Sequence, residues 1–188
     1  MCAGRAALGE NHSEIAILLN RMGNFHFEQE RLDDALRCYR RGLRIERKVL
    51  PTDHPNIVVT LSNLGEIYRQ RGDWDDAAKM YGDCLDILRK KYDEKDHIDV
   101  ALTLSTIGLI HDQRGDTCLS LHYLQDALLM RRRLLGNDHL DVSATLVYIG
   151  TILYRKSVFS VAIDLFTESL RIRKAALCAD HRDVAFVL

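Results

Sequence analysis

Between His54 and Lys91 the apolar positions recur at spacings of three and four. Val58, Leu61, Leu64, Ile67 and Tyr68 form one stripe, and Trp74, Ala77, Ala78, Tyr81, Leu85 and Leu88 form a second. This rhythm gathers each set on one face of a helix. Asp53 and His54 are candidate N-caps for the first helix, and Pro55 falls at about its first position, where a missing N–H costs nothing. Gly72-Asp73 supplies a turn and a candidate N-cap for the second helix, whose end carries Arg89-Lys90-Lys91 where the helix dipole is negative. The segment predicts two antiparallel helices of about 16 to 18 residues, roughly 24 to 27 Å long.

The same pattern recurs along the chain. His12, His54, His97, His139 and His181 stand at intervals of 42, 43, 42 and 42 residues, each after an Asn or Asp. Gly23, Gly65, Gly108 and Gly150 each follow a histidine by 11 residues. In the second helices, Ala35, Ala77, Ser120 and Ala162 align, as do Gly42, Cys84, Ala127 and Ser169, with Tyr39, Tyr81, Leu124 and Phe166 between them. A glycine inside a helix costs about 1 kcal/mol against alanine, so four in register predict a close approach of the partner helix.

A single helix pair cannot bury both its stripes, so the pairs must stack. The fold class expected is all-α: one solenoid over residues 1–188, with the tail of a preceding repeat at 1–11. Four repeats follow at 12–53, 54–96, 97–138 and 139–180, and the start of a fifth occupies 181–188. The one extra residue lies in the loop at 92–96. Thr117, Ser120 and Leu124 in the third repeat, and Ser157 at the turn of the fourth, predict helices joined by looser turns. Arg5-Ala6-Ala7-Leu8 matches Lys174-Ala175-Ala176-Leu177, and Val184, Phe186, Val187 and Leu188 are apolar. Both ends are therefore expected to be uncapped, as in a piece of a longer array or a chain associating end to end.

Composition narrows the function. With 47% apolar and 28% charged residues the chain has material for a core and a mixed surface. Its 26 basic and 27 acidic residues lack the excess expected of a nucleic-acid binder. The N-terminus carries no secretory signal and no stretch has the apolar length of a membrane span, so a cytoplasmic protein with no membrane partner is expected. Cys2, Cys38, Cys84, Cys118 and Cys178 form no Cys-x-x-Cys pair. They read as reduced cysteines, with Cys38, Cys84 and Cys118 on helical stretches predicted to pack.

Leu61, Leu64, Gly65, Tyr68, Ala77, Tyr81 and the small residue at Cys84 match, in order and spacing, the tetratricopeptide repeat pattern. The period exceeds the usual 34 residues. The added length, with the Asp53-His54-Pro55 opening and the Leu135-Gly136-Asn137-Asp138-His139 junction, resembles the kinesin-light-chain-like subclass. The resemblance implies a right-handed superhelix and a non-catalytic scaffold that binds a partner protein or an extended peptide in a concave groove, as a cargo adaptor would. The alternative is a sensor or regulatory repeat domain of a larger enzyme such as an NTPase, kinase or protease.

Chemistry elsewhere is sparse. The Asp-His pairs could suggest metal ligation, but equivalent positions in stacked helix pairs lie about 8 to 10 Å apart, too far for one zinc ion. Helix capping accounts for them instead. The sequence has no nucleophile elbow, no His-Glu-x-x-His and no phosphate-cradling glycine loop, so no catalytic residue, metal or cofactor is expected. The basic runs Arg131-Arg132-Arg133, Arg89-Lys90-Lys91 and Arg44, Arg47, Lys48 suit helix C-termini, with a surface for acidic partners as the competing reading.

In the resembled family the first helices line the groove. The matching residues are Ile17, Asn20, Arg21, Asn24 and Phe27 in the first repeat and Val59, Ser62, Asn63, Glu66 and Arg69 in the second. The third contributes Leu102, Ser105, Thr106, Leu109 and Asp112, and the fourth Ala144, Val147, Tyr148, Thr151 and Tyr154. Asn20 and Asn63 can donate and accept toward a peptide backbone, while Phe27, Tyr148 and Tyr154 can receive apolar anchors. The lining lacks the several lysines and arginines that would clamp a terminal carboxylate.

Overall fold

A computed structural model describes residues 13–176. The described residues form eight α-helices and no strand: α1 (Ser13–Glu28), α2 (Leu32–Val49), α3 (Pro55–Arg71), α4 (Trp74–Lys91), α5 (Ile98–Arg114), α6 (Thr117–Leu135), α7 (Leu140–Arg155) and α8 (Phe159–Ala176). Each repeat delivers two helices of 16 to 19 residues. The chain divides into two compact units, Met1–Asp93 and Glu94–Leu188, and the boundary falls in the loop that holds the extra residue. In the first unit α1 packs on α2, α2 on α3 and α3 on α4. The second repeats this order with α5 to α8. The ends at His12, His181, Arg5–Leu8, Leu177 and Val184–Leu188, with Cys2 and Cys178, lie outside the described residues.

The histidines cap. His54, His97 and His139 adopt extended backbone at the helix entrances, and the Nδ1 of each accepts the N–H two residues on, from Asn56 (3.1 Å), Asp99 (3.2 Å) and Asp141 (3.1 Å). One such bond satisfies one of the donors that a helix start leaves open, a contribution of about 1 kcal/mol. Asp73 does not cap as its residue type suggests: like Asp116, it makes no side-chain cap bond and holds φ near −80° and ψ near 66°. The geometry of the preceding turn fixes this.

That turn is the same in all four repeats. Glu30, Gly72, Gly115 and Ser157 take φ of 58°, 78°, 90° and 62°. After each, a backbone N–H reaches back five residues, Arg31 to His26 (2.9 Å), Asp73 to Tyr68 (2.9 Å), Asp116 to His111 (2.9 Å) and Val158 to Leu153 (3.0 Å). This is the hydrogen-bonded αL helix ending. The looser turns expected of the third and fourth repeats are absent: Ser157 is forced into the conformation that glycine adopts freely, and the bonds survive.

The small residues set the distance between paired helices. A Cβ on Gly23 would lie 2.5 Å from the Tyr39 ring, on Gly65 2.6 Å from Tyr81, on Gly108 2.8 Å from Leu124 and on Gly150 2.8 Å from Phe166. Ala35, Ala77, Ser120 and Ala162 are wholly buried on the facing helices. Around them the second unit gathers Leu124, Leu128, Val142, Leu146, Ile149, Ile152 and Ile172 into one core. The first unit buries Tyr39, Leu61, Leu64 and Ile67 almost completely.

Candidate binding surface on the first helices

The expected groove residues fall into five rows, one helical position each, and the rows differ in environment. The row Asn20, Ser62, Ser105 and Val147 faces inward. Asn20 is half-buried in α1, and its amide donates to Glu46 Oε1 (2.8 Å) and to Thr60 Oγ1 (2.7 Å), which ties α1 to α2 and α3. Both amide hydrogens therefore serve the fold, and the peptide-holding role expected of Asn20 does not fit its position. Ser62 Oγ lies 3.5 Å from the Cys84 sulfur, and Ser105 is buried with its hydroxyl on the Ala101 carbonyl (3.0 Å).

The remaining rows of the first unit reach the surface. Ile17 and Val59 are 40% and 56% exposed, and Arg21 is exposed. Asn24 accepts the Tyr39 hydroxyl (2.6 Å) and the Asn63 amide (3.4 Å), a bridge from α1 to α3 that leaves the half-buried Asn63 with further capacity to donate and accept. Glu66 and Arg69 pair with each other in a two-pronged bridge (2.7 and 2.8 Å), and Gln70 adds a bond to Glu66 (3.1 Å). The Arg69 hydrogen bond holds the Glu66 carboxyl below its ordinary pKa, and the reciprocal bond raises that of Arg69. Phe27 is half-buried at the end of α1.

In the second unit Leu102, Tyr148 and Tyr154 stand 58%, 42% and 59% exposed on α5 and α7. Tyr154 meets the Phe159 ring edge-on at 5.5 Å. Thr106 and Thr151 return their hydroxyls to the carbonyls of Leu102 (3.1 Å) and Val147 (2.8 Å). Asp112 takes both carboxylate bonds from one nitrogen of Arg155 at 2.6 Å, which joins α5 to α7. Leu109 and Ala144 are half-buried.

Four arginines of the basic runs serve the fold. Arg47 pairs with Asp83 (2.8 Å), Arg132 with Glu168 (2.8 Å) and Arg133 with Asp96 (3.0 Å), while Arg131 is buried and donates to Thr145 (2.5 Å) and the Asp141 carbonyl (3.2 Å). Arg47–Asp83 and Arg132–Glu168 share a separation of 36 residues, six less than the period, a signal that the sequence held and that reasoning from the helix dipole passed over. Of the cysteines described, Cys84 is buried, Cys38 half-buried and Cys118 exposed, so Cys118 does not pack as expected. Burial pushes the Cys84 thiol to about 11 and the Tyr39 and Tyr81 hydroxyls to about 12.

The tetratricopeptide repeat family model matches residues 14–90 and 99–175, most of the chain. The chain belongs to the tetratricopeptide repeat family. Its fold is of the kinesin-light-chain-like type. BtubC (BKLC) from P. vanneervenii aligns over 88% of this chain with a TM-score of 0.78 and 20% identity. The nearly identical repeats ascribed to a kinesin light chain of Podosopora anserina align over 94% of this chain and 83% of theirs, with a TM-score of 0.78 and 14% identity. The apo form of RapI aligns over 88% of this chain and 58% of its own, with a TM-score of 0.75 and 15% identity. At these identities the likeness is one of fold, and the chain spans 65% of the length of BtubC. No curated protein sequence matches. Tetratricopeptide repeats are typically non-catalytic and generally bind protein or peptide partners, which supports an interaction scaffold in general terms. Among the described residues no helix is long and apolar enough to cross a membrane.

Proposed function

We propose that this tetratricopeptide chain is an adaptor that binds partner proteins through extended peptide segments laid along the first helices of each unit. One observation carries the reading: Ile17, Val59 and Leu102 occupy the same repeat position and stand 40%, 56% and 58% exposed, where the packing has no use for them. Single exposed aliphatic residues are ordinary, but Ile17 and Val59 stand in register on α1 and α3 of the first unit, and Leu102 on α5 repeats the position in the second. In the first unit Asn63 offers a peptide backbone an amide, and in the second Tyr148 and Tyr154 offer anchoring rings at low entropic cost. Arg21, Asn24, Phe27, Glu66 and Arg69 complete the proposed surface of the first unit, with Asn20 as a support beneath it, and Thr106 and Asp112 complete that of the second. A cargo-adaptor role of the kinesin-light-chain kind is the finer form of the proposal.

The test is a double variant, Asn63→Ala with Tyr148→Ala, compared with the parent chain in affinity capture while circular dichroism reports folding. Loss of partners from a folded variant supports the reading. An unchanged set of partners would rule the first-helix surface out.

A further inference from the structure

The first unit holds a cavity of about 370 Å³ away from the first-helix rows, lined by Arg47, Thr52, Ile57, Asp83, Asp86 and Ile87. Ile57 and Ile87 give it an apolar floor, with Ile57 only 2% exposed. Arg47 and Asp83 close one side as an ion pair at 2.8 Å. Asp86 is exposed and has no ion-pair or hydrogen-bond partner among the described residues; the same holds for Asp53, next to the lining Thr52.

The repeat symmetry shows what such a place accepts. In the second unit the equivalents of Arg47, Asp83, Ile57 and Ile87 are Arg132, Glu168, Val142 and Ile172, and the strut is kept at 2.8 Å. Asp86, however, corresponds to Arg171, whose guanidinium pairs at 2.7 Å with Asp138, the equivalent of Asp53. Asp96, the third member of that aspartate series, pairs with an arginine from a different repeat position, Arg133, whose equivalent in the second repeat is Lys90. The first unit thus keeps the strut, the apolar floor and the aspartate before the histidine cap. It replaces the internal arginine with a second carboxylate.

We propose that this cavity receives an arginine side chain from a partner polypeptide. The methylenes of the guest lie over Ile57 and Ile87, and its guanidinium takes the place of the Arg171 group, between Asp86 and Asp53. Arginine suits a carboxylate pair better than lysine because its planar fork donates in two directions and it sheds water more readily. This inference is independent of the peptide surface proposed above, because it uses none of the same residues.

Titration of the full chain with N-acetyl-arginine amide, read by backbone amide chemical shifts, tests it, with N-acetyl-citrulline amide as the uncharged isostere. Saturable shifts at Thr52, Asp86 and Ile87 are expected with the arginine probe and not with citrulline. Asp86→Arg, which installs the residue of the second unit, should weaken the response by about two- to fivefold, as the loss of one exposed ion pair implies. Asp86→Asn should weaken it in the same direction without adding a cation. Equal shifts with citrulline, no shifts at these amides, or full affinity in both variants would overturn the proposal.

Discussion

Gly65→Ala and Gly82→Ala are the same chemical change in adjacent helices of one repeat, and they should differ in outcome. In each, alanine gains about 1 kcal/mol of helix propensity over glycine. At Gly82 a Cβ meets nothing within 4 Å, so the gain stands and the chain should become more stable by about 1 kcal/mol. At Gly65 the Cβ would sit 2.6, 2.8 and 3.2 Å from three atoms of the Tyr81 ring. Carbon atoms rest at about 3.5 to 4.0 Å, so the ring must retreat by roughly 1 Å. Forcing such a shift in a packed region costs about 1 to 3 kcal/mol. Because propensity cancels between the two variants, the difference in their unfolding free energies isolates that term: about 1 to 3 kcal/mol in favour of Gly82→Ala. Urea unfolding followed by far-ultraviolet circular dichroism measures it. With Tyr81 already cut to alanine, Gly65→Ala should cost less than it does in the parent chain, the difference being the interaction energy between touching residues. Equal stability of the two single variants would refute the argument that helix approach keeps glycine at this position.

Two further outcomes follow from features of the turns and the core. Ser157→Gly relieves an αL serine, a strain of about 1 to 2 kcal/mol, against about 0.5 to 1 kcal/mol of added chain entropy. The variant should gain about 0.5 to 1 kcal/mol in chemical denaturation, and a loss would show that the turn does not strain its serine. Glu46 is wholly buried with one carboxylate oxygen unpartnered, and burial raises its pKa despite hydrogen bonds with Thr60 and Asn20. The fold therefore binds this proton more tightly than the unfolded chain does, so its contribution is complete below the ordinary carboxylate pKa and is lost as pH rises through the raised value. Glu46→Gln should flatten that part of the pH profile of stability, and a difference from the parent that stays constant with pH would refute the assignment.

The first-order architecture was legible because it is local. Three-and-four spacing, the histidine caps and the glycine rows each depend on residues within a turn or two, or on their exact recurrence in the next repeat. What the sequence obscured depends on partners at a distance. Asn20 reads as a surface amide until Glu46 and Thr60, 26 and 40 residues away, close on it. Arg132 reads as a dipole cation until Glu168 meets it from the next repeat. Cys118 shares a helix with well-packed neighbours, yet it lies in the first turn of α6 and is exposed. The surface rows were legible by position, but hydropathy could not separate the inward row from the others, because its serines and asparagine are polar and find their bonds inside.

Glu46 and Arg131 hold the same repeat position, and both are buried with a hydrogen bond to a threonine of the following first helix, Thr60 and Thr145. Their charges are opposite. Around Glu46 the shell supplies the amide of Asn20, whereas the position equivalent to Asn20 in the other unit is Ser105, turned to its own backbone. Around Arg131 the shell supplies the Asp141 carbonyl. Each junction is thus keyed to its own pair of helices. Transplanting α2 into the place of α6 would set a carboxylate against a carbonyl and a threonine with no amide to receive it, so these two modules, alike in outline, are not interchangeable.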